Sequence, residues 1–353
     1  MTTSSSRYPE LVVSGSPREM GQQLGEAAGE EIRGFVEVAL GSVQKTVRIS
    51  RPRAMEIVQQ SLVLAQQYDD QVVEELRGIS ETTGITLEDL MLLQVRNQLR
   101  DEPEGACTSF SVAAGITREG RALVGQNWDN NPELDPFTMV VTRRPVDEPA
   151  MMCVTQVGLV AYIGLNDAGL GVCLNTLPAP SRDVGVPHYF TLRGLYKSRS
   201  LASAVEAIDR AQRAIPANIM LATPEGPANL EVTCEQVFVL RDSERLTHTN
   251  HCLHPELLPV NNEFPELIES GPRKNRIDRL FQQAEGSPGV AAMKRFLSDH
   301  DGYPRSICRH PNDHPEHGYW TTVFSVVVDA EAGQLHVSRG NPCETEFELY
   351  QLD

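Results

Sequence analysis

The hydrophobic positions change period once along the chain. Over the first hundred residues they recur every three or four positions. Met20, Leu24 and Ala27 are followed by Ile32, Phe35 and Val36, then by Ile57, Leu62 and Leu64 beyond Pro52. Val72, Val73, Leu76 and Ile79 come next, and Leu90, Leu93, Val95 and Leu99 close the series. That spacing gathers apolar side chains on one helix face. The starts are marked too. Ser16-Pro17-Arg18-Glu19 carries a capping-box pattern with proline at the first helical position, and Thr86-Leu87-Glu88-Asp89 opens another helix. From Cys107 onward short apolar runs take over. They predict strands over 107–113 and 121–126 around a turn at 115–120, then over 138–142, 151–157, 159–163 and 171–174. Helices are expected over 189–197 and 200–211, strands over 219–222, 229–233 and 236–241, and helices over 273–283 and 290–297. Strands over 322–328, 334–338 and 346–351 close the chain. Strands, then helices, then strands predict an α+β protein with sheets covered by helices.

The period changes at Arg100-Asp101-Glu102-Pro103-Glu104-Gly105, a charged run with proline and glycine that should lie exposed. Net charge is −17, which argues against a nucleic-acid partner and against docking on an anionic membrane. No stretch approaches the roughly 20 apolar residues of a membrane span, and the Ser-rich start lacks a secretory core. The seven cysteines are odd in number and irregular in spacing, so a disulfide framework is not expected and a cytoplasmic setting is.

Cys107 heads the first predicted strand, behind the polar run and the small residues Gly105 and Ala106. Breaking the Ala106–Cys107 bond would give one residue both a thiol and a free α-amino group. The thiol is a nucleophile, and the amine, with a reference pKa of about 7.7–8.0, is a base near neutrality. Small residues before the cysteine let the backbone bend for an N-to-S acyl shift. The competing reading is a cysteine serving as a small buried hydrophobe, the usual fate of a free one.

Four segments occur in order: Gly105-Ala106-Cys107-Thr108-Ser109, Gly125-Gln126-Asn127-Trp128-Asp129, His248-Thr249-Asn250-His251-Cys252 and Ser306-Ile307-Cys308-Arg309. With Gly15-Ser16-Pro17-Arg18-Glu19-Met20-Gly21, Glu74-Glu75-Leu76-Arg77-Gly78-Ile79 and Gly164-Leu165-Asn166-Asp167-Ala168-Gly169-Leu170, the chain resembles the isopenicillin N acyltransferase family of N-terminal-nucleophile hydrolases over nearly its whole length. The resemblance implies a four-layer αββα sandwich, one structural domain overall, made as a precursor and cut before the cysteine. Residues 1–106 would form a small subunit and 107–353 a large one, staying associated. Cys107 resembles the nucleophile, Asp129 the acid that orients the site, Asn250 the side-chain donor to the oxyanion and Arg309 the cation near that carboxylate. Ser109, Asn127 and Asn166, each inside a matched segment, are expected to support them. Ala106 stands where the family usually has glycine, and Asn130 and Asn131 where an aromatic is frequent, which points to a more polar pocket.

The expected activity is hydrolysis of a small N-acyl amide through a thioester. No resident cofactor is expected; a coenzyme A thioester enters only as co-substrate of the alternative, acyl transfer. A second alternative is a non-catalytic binding or zinc-binding protein on the same fold. Cys308, His310, His314 and His317, and separately His248, His251, Cys252 and His254, are zinc-ligand types. Neither set has a standard spacing, and Pro311 and Pro315 forbid a regular helix in the first. Both sets are therefore read as loop histidines, and no metal is expected.

Overall fold

The helical period of the first hundred residues builds three helices, each starting where a side chain can cap it. The computed structural model describes residues 6–46, 49–99, 105–264, 269–315 and 318–353. Helix α1 (Pro17–Thr46) opens on the capping box: Ser16 N–H donates to Glu19 Oε2 at 2.8 Å, and Glu19 N–H to Ser16 Oγ at 3.4 Å. Helix α2 (Arg51–Thr83) is capped by Ser50 and stops at Gly84, whose φ of 71° is left-handed. Helix α3 (Leu87–Val95) is capped by Thr86, whose hydroxyl accepts from Asp89 N–H at 3.1 Å. Helices α1 and α2 meet through glycine. A Cβ on Gly21 would lie 1.9 Å from the Glu75 carbonyl oxygen, and one on Gly78 2.2 Å from that of Arg18. Any side chain at either position would force the helices apart.

In chain order the strands are β1 (Glu10–Gly15), β2 (Ala106–Val112), β3 (Leu123–Asn130), β4 (Thr138–Pro145), β5 (Met151–Gln156), β6 (Ile163–Asn166) and β7 (Gly171–Asn175). Helices α4 (His188–Tyr196) and α5 (Leu201–Asp209) precede β8 (Ala217–Ala222), β9 (Ala228–Val232), β10 (Val237–Arg241) and β11 (Arg245–His248). Helices α6 (Ser270–Gln283) and α7 (Val290–Leu297) lead to β12 (Thr321–Asp329), β13 (Gln334–Arg339) and β14 (Phe347–Gln351). One sheet runs β1-β4-β5-β6-β7-β8-β9-β10 and the other β11-β2-β3-β12-β13-β14. Among the described strands only β1 joins its neighbour in parallel, through β4. The sheets face each other where β2 and β3 cross β7 and β8. Helix α1 packs on β1 and β4, with α2 and α3 beside it and against α4, while α6 and α7 cover β2, β3, β11 and β12. The result is the expected αββα sandwich. Among the described residues no helix is long and apolar enough to cross a membrane.

Several expectations need correction. The apolar run 159–163 is not a strand; β6 begins only at Ile163. Its backbone is satisfied by buried side chains instead of a ladder. Arg143 donates to the Leu159 carbonyl, Arg193 to that of Val160, and Gln94 to that of Gly158. Strands β1 and β11 were not expected; each is short and lies at the edge of its sheet. Strand β3 runs past Gln126 to Asn130, so the polar segment around Asp129 is strand and not turn. The polar run 100–104 lies outside the described residues, and Gly105 beside it is buried.

The helical layer is tied to the sheet by charge. Glu75 of α2 has no exposed surface. Arg143 of β4 donates to its Oε1 at 2.8 Å, and Arg193 of α4 lies 2.9 Å from its Oε2. Burial alone would raise this carboxyl's pKa; the two guanidiniums outweigh it and hold it below the ordinary range. Glu75→Gln would leave two buried cations with one counter-charge fewer. It should cost roughly 3–5 kcal/mol in urea unfolding. Because the folded pKa is depressed, the stabilisation is present above the reference value of 4.5 and lost as pH falls through the folded one. The variant should therefore lose less stability on acidification than the parent.

Candidate active site

Strand alternation sets the geometry. Cys107 faces Trp128 across the β2–β3 ladder, and both side chains enter the core between the sheets. The neighbouring positions Thr108 and Asp129 point the other way, under α6. Gly105, at φ 90°, turns the chain into β2; a Cβ there would lie 2.9 Å from the Asp129 carbonyl oxygen.

Two side chains hold the main chain of Cys107. Its N–H donates to Asn250 Oδ1 at 2.9 Å. Arg273 of α6 donates to its carbonyl oxygen, to Thr108 Oγ1 at 2.9 Å and to Asn250 Oδ1 at 2.8 Å. Both groups facing Asn250 can only donate, so its oxygen must point at them. Its Nδ2 instead donates to the Thr176 carbonyl at 3.0 Å. In the intact chain the Asn250 oxygen is thus an acceptor for the nitrogen of the Ala106–Cys107 bond, and its Nδ2 donor is held by Thr176, which lines the cavity. Arg273 was not foreseen. Its signal is a cation at helical spacing with Ile277 and Phe281 on the buried face of α6.

Asp129 Oδ1 accepts from Thr322 Oγ1 at 2.7 Å, and Oδ2 has no hydrogen-bond partner among the described residues. Burial pushes its pKa up to about 6 against the pull of Arg273, Thr322 and Arg309. Arg309 is buried nearby, and its N–H shares Thr322 Oγ1 at 2.9 Å. Its ion pair is with Glu269 Oε2 at 3.0 Å, and its charge also lowers the pKa of the Asp129 carboxyl.

The three supporting residues divide. Ser109 lies two positions beyond Cys107, buried, with its hydroxyl unpaired among the described residues. Asn127 faces away from the cavity, its Nδ2 donating to the Leu297 and Ile307 carbonyls, both at 2.8 Å. Asn166 organises its own turn: its Oδ1 accepts from the Ala168 and Leu170 N–H groups, and its Nδ2 reaches the Tyr196 and Ser198 carbonyls. Both asparagines brace the scaffold. In the histidine-rich segment around Asn250, His248 pairs with buried Glu231 at 2.8 Å and His251 with Ser270 at 2.7 Å.

Cys107 opens on a cavity of about 260 Å³ whose lining includes Trp128, Tyr162, Asn175, His188 and Arg96. Burial, with the negative charge of Asp129, pushes the Cys107 thiol up to about 12, while burial lowers His188 to about 3. The thiol of the intact chain is thus protonated and the imidazole neutral at pH 7. Alkylation of Cys107 by iodoacetamide, followed by peptide mass spectrometry, should rise about tenfold per pH unit from pH 6 to 9, because only the thiolate reacts. A flat profile would mean the thiol is already ionised.

The αββα layering sets a buried cysteine near the start of an inner strand, open to the cavity between the sheets. The chain belongs to the acyl-coenzyme A:6-aminopenicillanic acid acyl-transferase family, whose profile matches residues 116–344, more than half of its length. It is 27% identical over 341 residues to the acyl-coenzyme A:6-aminopenicillanic-acid-acyltransferase 40 kDa form of Emericella nidulans, covering 94% of this chain and 92% of that one. Two solved structures align at low identity. One is a point mutant of conjugated bile acid hydrolase from Clostridium perfringens (14% identical, 70% of this chain and 97% of that one, TM-score 0.45). The other is penicillin V acylase from Agrobacterium tumefaciens (12%, 66% and 83%, TM-score 0.45).

Proposed function

We propose that this chain is a self-processing cysteine amidohydrolase that acts on a small N-acyl amide. The observation that carries this reading is the hold on Cys107, whose N–H is bonded to Asn250 and whose carbonyl is bonded to Arg273 while its thiol faces the cavity. In the first reaction Sγ attacks the Ala106 carbonyl. A C–S bond forms, the Ala106–Cys107 C–N bond breaks, and the freed amine takes the thiol proton. Water then hydrolyses the thioester. The new α-amine becomes the base that removes the thiol proton when a substrate amide enters. The substrate acyl group passes to Sγ, its amine leaves with the proton, and water releases the acid. Asn250 keeps the Cys107 nitrogen in place throughout. Asp129 and Arg309 hold the outer face of the same strands.

The fragments 1–106 and 107–353 would stay together, because β1 pairs with β4 and Glu75 with Arg143 and Arg193. Intact-mass measurement of the purified chain should find species ending at Ala106 and beginning at Cys107. Cys107→Ala should remain one chain without amidase activity; turnover by that variant would sink the mechanism.

The cavity also bears on the substrate. Arg96 is buried there over the rings of Phe35 and Tyr189, 5.3 and 5.1 Å from their centroids. It has no acidic partner among the described residues. A carboxylate on the substrate would supply one. Arg96→Met should raise KM roughly tenfold or more for a carboxylate-bearing amide and leave a neutral analogue nearly unchanged. An equal effect on both would remove Arg96 from recognition. The name of the 27% identical relative favours a second reading, in which an amine accepts the acyl group from the same thioester and coenzyme A is the donor.

A further inference from the structure

We propose that His300, Cys308, His310 and Cys343 form a zinc site that braces the loop carrying Arg309. The sequence paired Cys308 and His310 with the wrong partners. His317 lies outside the described residues. The fold brings in His300, from beyond the end of α7, and Cys343, from the β13–β14 connection. The four ligand atoms lie within 4.8 Å of one another.

Four of their six separations are close to those of a metal tetrahedron. Zinc bonds of about 2.3 Å to sulfur and 2.0–2.1 Å to nitrogen place two thiolates about 3.8 Å apart, a thiolate and an imidazole about 3.5 Å apart, and two imidazoles about 3.3 Å apart. The two Sγ atoms are 3.5 Å apart and the two Nε2 atoms 3.1 Å. His310 Nε2 is 3.7 Å from Cys308 Sγ and 3.4 Å from Cys343 Sγ.

Hydrogen bonding does not account for this cluster. His310 Nε2 has three polar neighbours there, and a ring nitrogen offers either one proton or one lone pair. At most one contact is then a good hydrogen bond. A cation at the centre satisfies all four atoms together. Two thiolates and two imidazoles in a tetrahedron select zinc among the common metals.

The surroundings fit as well. Asn341 Nδ2 lies 3.5 Å from Cys308 Sγ, placed to donate to a thiolate, and the Glu344 carboxylate is 3.9 Å from His310 Nδ1, behind the ligating nitrogen. Such partners orient ligands and raise their basicity. Binding would release the two thiol protons to solvent, so two negative ligands balance the divalent ion. With four protein ligands no position is open to water, which makes the role structural. Cys308 and His310 flank Arg309, whose carbonyl accepts from Asn341 Nδ2 at 2.7 Å and Thr322 N–H at 3.0 Å. The metal would clip this loop to the end of the second sheet.

The test uses the full chain, purified without chelator. Elemental analysis should find about one zinc per chain. After stripping, titration with Co²⁺ alone should give the intense visible bands of a tetrahedral site and sulfur-to-cobalt charge-transfer bands. The charge-transfer bands should vanish in Cys308→Ser/Cys343→Ser. Should that variant fail to fold, His300→Ala, which changes an exposed ligand, should bind Co²⁺ at least about tenfold more weakly than the parent. Absence of zinc at purification together with absence of thiolate charge transfer on Co²⁺ addition would overturn the proposal. So would a Cys308–Cys343 disulfide as the sole native state.

Discussion

A carboxylate with no exposed surface joins the first hundred residues to everything after them. Glu75 lies at the crossing of α1 and α2, where Gly21 lets the helices touch backbone to backbone, and it meets one arginine from β4 and one from α4. Those arginines also satisfy the carbonyls of Leu159 and Val160, so a single charge fixes the helical layer and the irregular segment before β6. Replacing such a cluster with apolar residues often costs nothing, whereas removing one member leaves charge stranded. Its value here is in register. Hydrophobic contact alone would let α2 slide along α1 and α4, while one carboxylate between two guanidiniums admits a single position. Under the proposed cut the same cluster spans two polypeptides.

The helices were legible because their information is local. Ser16 with Glu19 and Thr86 with Asp89 write their caps within four residues, and the apolar stripes follow at once. The sheet was legible where β-rich runs stood between turns. It failed where the burden of satisfying the backbone had moved to distant side chains, as at 159–163, whose apolar content describes burial but not pairing. It failed again at β1 and β11, edge strands with a single neighbouring strand each and therefore little alternation to read. Strand β3 was cut short for a third reason: Asn127 and Asp129 look like turn residues, but Asn127 Nδ2 donates to the distant Leu297 and Ile307 carbonyls and Asp129 Oδ1 accepts from Thr322 of the neighbouring strand β12.

The candidate site shows the same division. Cys107, Asn250, Asp129 and Arg309 stood out within recognisable segments; Asn250 holds the Cys107 nitrogen, while Asp129 and Arg309 both meet Thr322 on the other face of the strands. Arg273 did not, because a basic residue early in a polar helix has the composition of a solvated one; only the packing of α6 against β2 and β11 buries it. The cysteine–histidine quartet was hidden by separation along the chain. Cys343 lies 33 residues beyond His310, in a different connection, and no local spacing announces a site assembled from two loops.

The charge state of the intact site bears on how a reactive residue is stored. Burial pushes the Cys107 thiol and the Asp129 carboxyl upward together, to about 12 and about 6. At neutral pH the carboxylate is ionised and the thiol is not. Each negative charge disfavours the other, and Arg273 between them compensates one. A second anion at Sγ is therefore costly until a proton acceptor lies beside it. His188 lines the cavity but, with its pKa lowered to about 3, is a poor base. An α-amine created on Cys107 itself would need no new side chain and no rearrangement, because Asn250 already holds that nitrogen. Cleavage would then convert a buried, protonated cysteine into a nucleophile by changing one atom's chemistry while the surrounding hydrogen bonds stay in place.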